Sequence, residues 1–156
     1  MDYDILLRVL AALEARGVRY AIFGAVALNM HGLARFTEDL DLFVAPDRAN
    51  IEQLKAALHD TFNDPTIDEI SADDLLGDYP AVQYVPPDGT FHLDILTRLG
   101  HAFQFSDLET ERVPFDGLTA TVVTPIMLYR MKRDTVRLKD KADAQLLRER
   151  FGIEEP

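Results

Sequence analysis

Apolar positions along this chain follow two periods, which together predict both helices and strands. Residues 3 to 16 and 47 to 62 carry apolar side chains every three or four positions, the period of an amphipathic helix. Residues 39 to 45 carry them at every second position, the period of a half-buried strand. The predicted elements, in chain order, are helix 3–16, strand 19–23, helix 25–33, strand 39–45, helix 47–62, strands 82–85 and 91–96, a hairpin near Asp116-Gly117, helix 125–133 and helix 139–150.

Turn and cap residues support these boundaries. The run Pro86-Pro87-Asp88-Gly89 predicts a hairpin that brings the strand at 91–96 into the sheet. Thr124 followed by Pro125 is typical of a helix N-cap and first helical position, and Asp140 is interpreted as the N-cap of the last helix. The segment 64–78 has no clear period. The pattern as a whole predicts an α/β or α+β domain, with a small mixed β-sheet flanked by helices and with helices at the C-terminus.

Two carboxylates stand two residues apart in the strand at 39–45. Because side chains alternate along a strand, Asp39 and Asp41 face the same side, while Leu40 and Leu42 face the other and are expected to be buried. Asp94 lies between apolar residues in the strand at 91–96. If the two strands are neighbours in the sheet, the three carboxylates converge.

Such a cluster predicts a metal site. Like charges in a half-dry cleft repel each other unless a cation lies between them, and hard carboxylate oxygens suit Mg²⁺ or Mn²⁺. Three carboxylates are sufficient to hold two such ions about 3.5–4 Å apart for an in-line displacement at phosphorus. Asp94 is interpreted either as a metal ligand or as a general base.

A strand, a tight turn and a helix precede the acidic pair. Gly24 and Ala25 form the turn, and small residues there let backbone N–H groups approach a phosphate closely. Arg35 lies four residues before Asp39, where its guanidinium could hold a phosphate or brace Asp39 and Asp41.

The motifs Gly24-Ala25, His31-Gly32, Arg35-x-Thr37 and Asp39-Leu40-Asp41-Leu42, with Asp94 later, resemble the DNA polymerase beta-like nucleotidyltransferase superfamily. The similarity covers about residues 18 to 145 and is greatest to the small bacterial branch with the AbiE toxin-type (MenT-like) nucleotidyltransferases.

The resemblance implies a nucleotidyltransferase fold and transfer of a nucleotidyl group from a nucleoside triphosphate. It implies Asp39, Asp41 and Asp94 as catalytic metal ligands. It also implies a nucleotide-binding set, which consists of Gly24, Ala25, Arg35, Thr37, Lys132 and Lys139.

One position departs from the family pattern. Many catalytic members have Ser or Gly where this chain has Ala25, so a hydroxyl contact to the terminal phosphate is missing. This departure supports an alternative, a non-catalytic module that binds a nucleotide or a partner through the same fold. A metal-dependent phosphohydrolase is a weaker alternative, because such sites usually add histidines and the four histidines here are not clustered.

Composition narrows the protein class. A chain of 156 residues, 47% of them apolar, is expected to form one domain over residues 1–156. There is no cysteine, so a thiolate metal site is excluded. The N-terminus is acidic and no apolar run approaches the ~20 residues that span a bilayer, so we expect a cytoplasmic protein without a membrane partner.

Charge is distributed unevenly. The net charge is −11, yet residues 130–150 contain eight of the sixteen Lys and Arg against four acids, a local +4 that leaves −15 elsewhere. The acidic surface favours a protein as the acceptor of the nucleotide, and the basic helices leave tRNA open. A solvated helix face is the alternative reading of the basic stripe. The family resemblance adds a cognate antitoxin or toxin as an expected partner.

Overall fold

The computed structural model describes residues 1–156 as a six-stranded mixed sheet with helices around it. The helices are α1 (Tyr3–Ala15), α2 (Gly24–Met30), α3 (Arg48–Thr61), α4 (Ala72–Leu76), α5 (Pro125–Arg133) and α6 (Leu138–Phe151). The strands are β1 (Tyr20–Phe23), β2 (Asp39–Val44), β3 (Ala81–Tyr84), β4 (His92–Leu96), β5 (Arg98–Leu99), β6 (Phe103–Gln104), β7 (Thr110–Phe115) and β8 (Leu118–Val123).

The main sheet has the strand order β3-β4-β2-β1-β8-β7. β2 runs parallel to β4 and antiparallel to β1, and β1 runs parallel to β8. The predicted neighbourhood of the two acidic strands is confirmed, with Asp41 directly opposite Asp94 in the register. The hairpin between β7 and β8 and the hairpin between β3 and β4 are confirmed as well.

The face of β2 and β4 opposite the acids is buried in the core. Leu40, Leu42 and Ile95 are fully buried, as the alternation along their strands predicts. α1 and α3 pack against each other, and α5 packs against α6. Asp2, Asp47 and Thr124 cap α1, α3 and α5 by accepting hydrogen bonds from backbone N–H groups of the first turn, which fixes where these helices begin. No helix combines the length and the apolar character needed to cross a membrane.

The structure corrects one prediction from the sequence and adds elements that the sequence did not predict. The last helix has Arg137 as its N-cap, so the capping role assigned to Asp140 is wrong. Asp140 lies in the first turn of α6 and its carboxylate accepts hydrogen bonds from Thr135 and Lys132 instead. The segment without a period contains a short 3-10 helix (Pro65–Glu69) and α4, and the small β5-β6 ribbon was not predicted.

Candidate active site

The three predicted acids converge at one end of β2 and β4. Asp41 lies opposite Asp94, and Asp39 lies opposite His92. The carboxylate of Asp39 is 3.2 Å from Nδ1 of His92, and Asp94 accepts a 3.1 Å hydrogen bond from the side-chain amide of Gln83. Parallel pairing of the two strands therefore produces the cluster that the alternation of residues predicts.

Asp41 has the most perturbed carboxylate of the three. Burial raises the pKa of Asp41 to about 7, and the charges of Asp94 and Asp39 together with a hydrogen bond shared with Asp94 act in the same direction. The charge of Lys132 acts weakly against them. Near neutral pH the carboxyl group of Asp41 is therefore divided between its protonated and ionised forms. A nearby cation would favour the ionised form.

Gly24 is required where β1 turns into α2. Its φ of +70° lies in the left-handed region, which side chains rarely adopt. A Cβ at this position would collide with the carboxylate of Asp41 and lie 2.9 Å from its Cγ. The turn therefore places its backbone directly against the carboxylate of Asp41.

A cleft of about 350 Å³ opens in front of the acids. Eight of the nine residues predicted from the sequence line it, namely Gly24, Ala25, Thr37, Asp39, Asp41, Asp94, Lys132 and Lys139. Thr37 fixes the start of β2. Its hydroxyl accepts a hydrogen bond from the backbone N–H of Asp39 and donates one to the backbone carbonyl of Asp39. The cleft brings these residues together, and their individual binding roles stay predictions.

The wall opposite the acids is built by α5 and α6. Nζ of Lys132 lies 3.3 Å from a carboxylate oxygen of Asp140 and 3.2 Å from one of Asp143. Burial acts to raise the pKa of Asp140, but the net shift is downward. Hydrogen bonds from Thr135 and Lys132 and the positive charge of Lys132 favour the ionised carboxylate. Lys132 is thus held in place by two carboxylates at the edge of the cleft.

Arg35 is the predicted site residue that does not line the cleft. Its Nε donates a 2.7 Å hydrogen bond to Asp143, and a second nitrogen of the guanidinium binds the same oxygen. The alternative in which Arg35 braces Asp39 and Asp41 is therefore wrong. Arg35 instead ties the loop before β2 to α6.

Asp143 is a residue of the site that the sequence reading missed. Its side chain is 1% exposed, and it joins Arg35 and Lys132. A signal was present, since Leu147 is buried one helical turn later and so places Asp143 on the apolar face of α6. A carboxylate on an apolar helix face needs a cationic partner, and here it has two.

The basic stripe at 130–150 is partly neutralised within the protein. Arg130 and Arg133 bind the carboxylate of Glu155 near the C-terminus. Lys132 is paired as well, so Lys139 and Arg137 are the cations that line the cleft without a close carboxylate partner. The carboxylate of Asp140 lies 3.9 Å from Nε of Arg137. The positive charge available to a ligand is therefore local.

The donor chemistry of the acids fits a hard divalent cation. Carboxylate oxygens are the ligands that Mg²⁺ and Mn²⁺ prefer, and Asp41 is a half-buried carboxylate whose pKa is raised by burial and by the charges of Asp94 and Asp39. As the side chains stand, no group of three or more Asp, Glu, His or Cys has its ligand atoms gathered around one point. Asp39 is turned toward His92 and would rotate to join Asp41 and Asp94 on an ion.

Comparison with known proteins identifies a family. The model of the family described as nucleotidyl transferase AbiEii toxin, type IV toxin–antitoxin system, matches residues 6–148. No curated protein sequence matches the chain.

Solved structures share the fold at low identity. The antibiotic-resistance factor ANT(2″)-Ia, solved in complex with adenylyl-2″-tobramycin, is 15% identical with a TM-score of 0.58, over 97% of this chain and 91% of its own. The lincosamide antibiotic adenylyltransferase LnuA is 11% identical with a TM-score of 0.59, over 95% of this chain and 97% of its own. An antigenic nucleotidyltransferase-like protein of Paracoccidioides brasiliensis is 20% identical with a TM-score of 0.56, over 94% of this chain and 77% of its own.

Proposed function

The chain belongs to the AbiEii nucleotidyl transferase toxin family, and on this premise we propose that it moves a nucleoside monophosphate from a nucleoside triphosphate to a hydroxyl of a macromolecular acceptor, with divalent metal ions as cofactors. The acceptor class is a protein or a tRNA. The family is one of toxin–antitoxin systems, so a cognate antitoxin is the partner to expect. We also propose a cytoplasmic location, where nucleoside triphosphates are available.

One observation carries the proposal. Asp41 and Asp94 lie face to face on adjacent strands, with the backbone of Gly24 against Asp41 and with Lys132 and Lys139 lining the same cleft. A triphosphate needs cations and backbone N–H groups on one side and, near the reacting phosphorus, a site for divalent ions. Residues of the types that could supply all three line this one cleft, which supports the proposal.

In this proposal each group of residues in the cleft has its own role. Asp39, Asp41 and Asp94 would hold two Mg²⁺ or Mn²⁺ ions, which would activate the attacking oxygen and stabilise the leaving pyrophosphate. The turn at Gly24 and Ala25 would bind phosphate oxygens through backbone N–H groups, which Ala25 supplies without a side-chain hydroxyl. Lys132 and Lys139 would offset the negative charge of the triphosphate from the opposite wall.

The test is transfer of label. The protein and the Asp39→Asn/Asp41→Asn double variant are incubated with Mg²⁺, each α-labelled nucleoside triphosphate and a bacterial lysate. Label removed by RNase assigns an RNA acceptor, and label removed by protease assigns a protein acceptor. Absence of any label that depends on the acids would refute transfer in that extract.

The alternative function is a module that binds a nucleotide or a partner without turnover. Ala25 favours it, because the family position often supplies a hydroxyl. Nucleotide binding that requires Mn²⁺ and disappears in Asp41→Asn, without transfer to any acceptor, would support this alternative.

A further inference from the structure

A second groove leaves the cleft at Asp41 and Asp94 and runs toward the edge of the sheet at β3. This groove of about 380 Å³ shares Phe23, Asp41 and Asp94 with the candidate active site and runs over β3 and β4. The rest of its lining comes from Ala81, Val82, Gln83, Ile95 and Leu96. Apart from the two shared acids, this lining has no ionisable side chain. We call it the β3–β4 groove.

Charge separates the two arms of the cleft. Lys132, Arg137 and Lys139 all line the arm formed with α5 and α6, together with Asp140 and Asp143, and no lysine or arginine lines the β3–β4 groove. A triphosphate carries several negative charges and is attracted to the arm that contains the cations. The β3–β4 groove then remains for the acceptor. With Asp41 and Asp94 bound to metal ions, the rest of this lining contains no lysine or arginine to bind the phosphates of an RNA acceptor, which disfavours RNA.

β3 also offers a free backbone edge. It is the last strand of the sheet and pairs only with β4. None of the loop, turn or side-chain hydrogen bonds of the protein reaches the backbone of residues 81–84. An exposed edge of this kind binds an extended polypeptide by adding a strand.

The register sets which side chain of such a polypeptide can react. Gln83 lies opposite Asp94, so alternate side chains of an added strand would project over the same face as the acids. An added strand lies about 10 Å from β4, which is two strand spacings. A long side chain that ends in a hydroxyl spans this gap better than a short one, and tyrosine is therefore favoured over serine and threonine.

We propose that the acceptor is a polypeptide segment that pairs with the free edge of β3 and presents a side-chain hydroxyl to the acids through the β3–β4 groove. This inference rests on the proposed function. The hydroxyl oxygen forms a bond to the α-phosphorus, and the bond from the α-phosphorus to the oxygen that bridges to the β-phosphorus breaks. Pyrophosphate leaves with that electron pair, the hydroxyl proton passes to solvent water, and the product is a phosphodiester between the nucleoside and the side chain.

The experiment supplies defined acceptors. The full-length protein, Mg²⁺ and each α-labelled nucleoside triphosphate are incubated with degenerate peptide pools that contain one central Tyr, Ser or Thr among uncharged residues. A parallel reaction contains total bacterial tRNA, and Asp41→Asn serves as the inactive control in both. Metal-dependent nucleotide binding is measured separately by calorimetry.

We expect labelled peptide, with the Tyr pool labelled most, and unlabelled tRNA. Labelled tRNA without labelled peptide would overturn the polypeptide assignment and leave the proposed function standing. Nucleotide binding without label on either acceptor would overturn the polypeptide assignment and favour the non-catalytic alternative. Loss of metal-dependent nucleotide binding itself would overturn both.

A charge-reversal pair at Ala81 tests the acceptor without reference to its sequence. Ala81 is exposed, lines the β3–β4 groove and lies two residues from Gln83. For an uncharged peptide, Ala81→Lys and Ala81→Glu should differ by less than about fivefold in KM for the acceptor, the scale of an exposed charge. A KM that falls in the Lys variant, rises in the Glu variant and increases by about 10³-fold or more between 50 and 200 mM salt would identify a polyanion and refute the proposal.

Discussion

Two aspartates that line the same cleft, Asp143 buried and Asp41 half-buried, have opposite electrostatic surroundings. Asp143 on α6 is 1% exposed and binds both Arg35 and Lys132. Asp41 on β2 has two carboxylates as neighbours, and burial raises its pKa to about 7. A buried charge with partners holds structure together, whereas a carboxylate among like charges costs stability and favours the binding of a cation. The contrast indicates a structural role for Asp143 and supports the proposed role of Asp41 in metal binding.

The largest effect that tests this contrast is expected at Asp143. Asp143→Ala leaves Arg35 and Lys132 without their shared partner in a partly buried site, so the free energy of unfolding should fall by about 3–5 kcal/mol. Urea denaturation followed by circular dichroism measures the change. Asp134→Ala is the matched control, because Asp134 pairs with Arg133 at an exposed position and should cost less than about 1 kcal/mol. Equal losses in the two variants would contradict the architectural role of Asp143.

The next effect is on transfer at Asp41. Asp41→Asn keeps the shape of the side chain but removes the charge that would bind a cation, so label transfer should fall at least about a hundredfold. The stability of this variant should not fall, since the substitution relieves repulsion from Asp94 and Asp39. Single-turnover transfer and thermal unfolding, measured on the same preparation, separate the two effects. Asp41→Asn with unchanged transfer and lowered stability would reverse the comparison with Asp143.

The acidic residues of the cleft were easier to predict from the sequence than the contacts of its basic residues. Asp39, Asp41 and Asp94 were predictable because strand alternation and flanking apolar residues are local signals. The pair formed by Arg35 and Asp143 spans 108 residues, and no local pattern specifies which residues meet when α6 packs on the loop before β2. The N-cap expected at Asp140 was wrong because a carboxylate near a helix start can serve either the backbone or a nearby lysine, and here Lys132 and Thr135 compete successfully.

A smaller effect is expected at Gly24. Gly24→Ala forces a side chain into the left-handed region at a cost of about 1–2 kcal/mol, and its Cβ also meets Asp41. Gly89→Ala is the matched control, since Gly89 has φ +69° with no atom within 4 Å of a Cβ. Chemical denaturation of both variants separates the contact with Asp41 from the backbone strain. If Gly24→Ala costs no more than Gly89→Ala, then the close approach of the turn to Asp41 has no energetic consequence.

The smallest effect is the pH dependence that Asp41 adds to stability. Its pKa is about 7 in the folded protein against 3.8 as the ordinary value, so the folded state binds more protons than the unfolded state between these limits. Stability should therefore fall as pH rises from about 4 to 7, by roughly 1–2 kcal/mol because one pKa unit corresponds to about 1.4 kcal/mol and water screens part of the shift. Asp60, Asp64 and Glu155 have lowered pKa values and contribute with the opposite sign at lower pH.

The difference between the protein and Asp41→Asn isolates the contribution of Asp41 from these other groups. Denaturation at pH 5 and pH 8 should show Asp41→Asn gaining stability relative to the unsubstituted protein as pH rises. Addition of Mg²⁺ at pH 8 should remove most of that gain, because an ion that binds the folded state selectively stabilises it and favours the ionised carboxylate. A difference that is independent of pH would mean that Asp41 is already compensated by protein groups, and the contrast with Asp143 would then disappear.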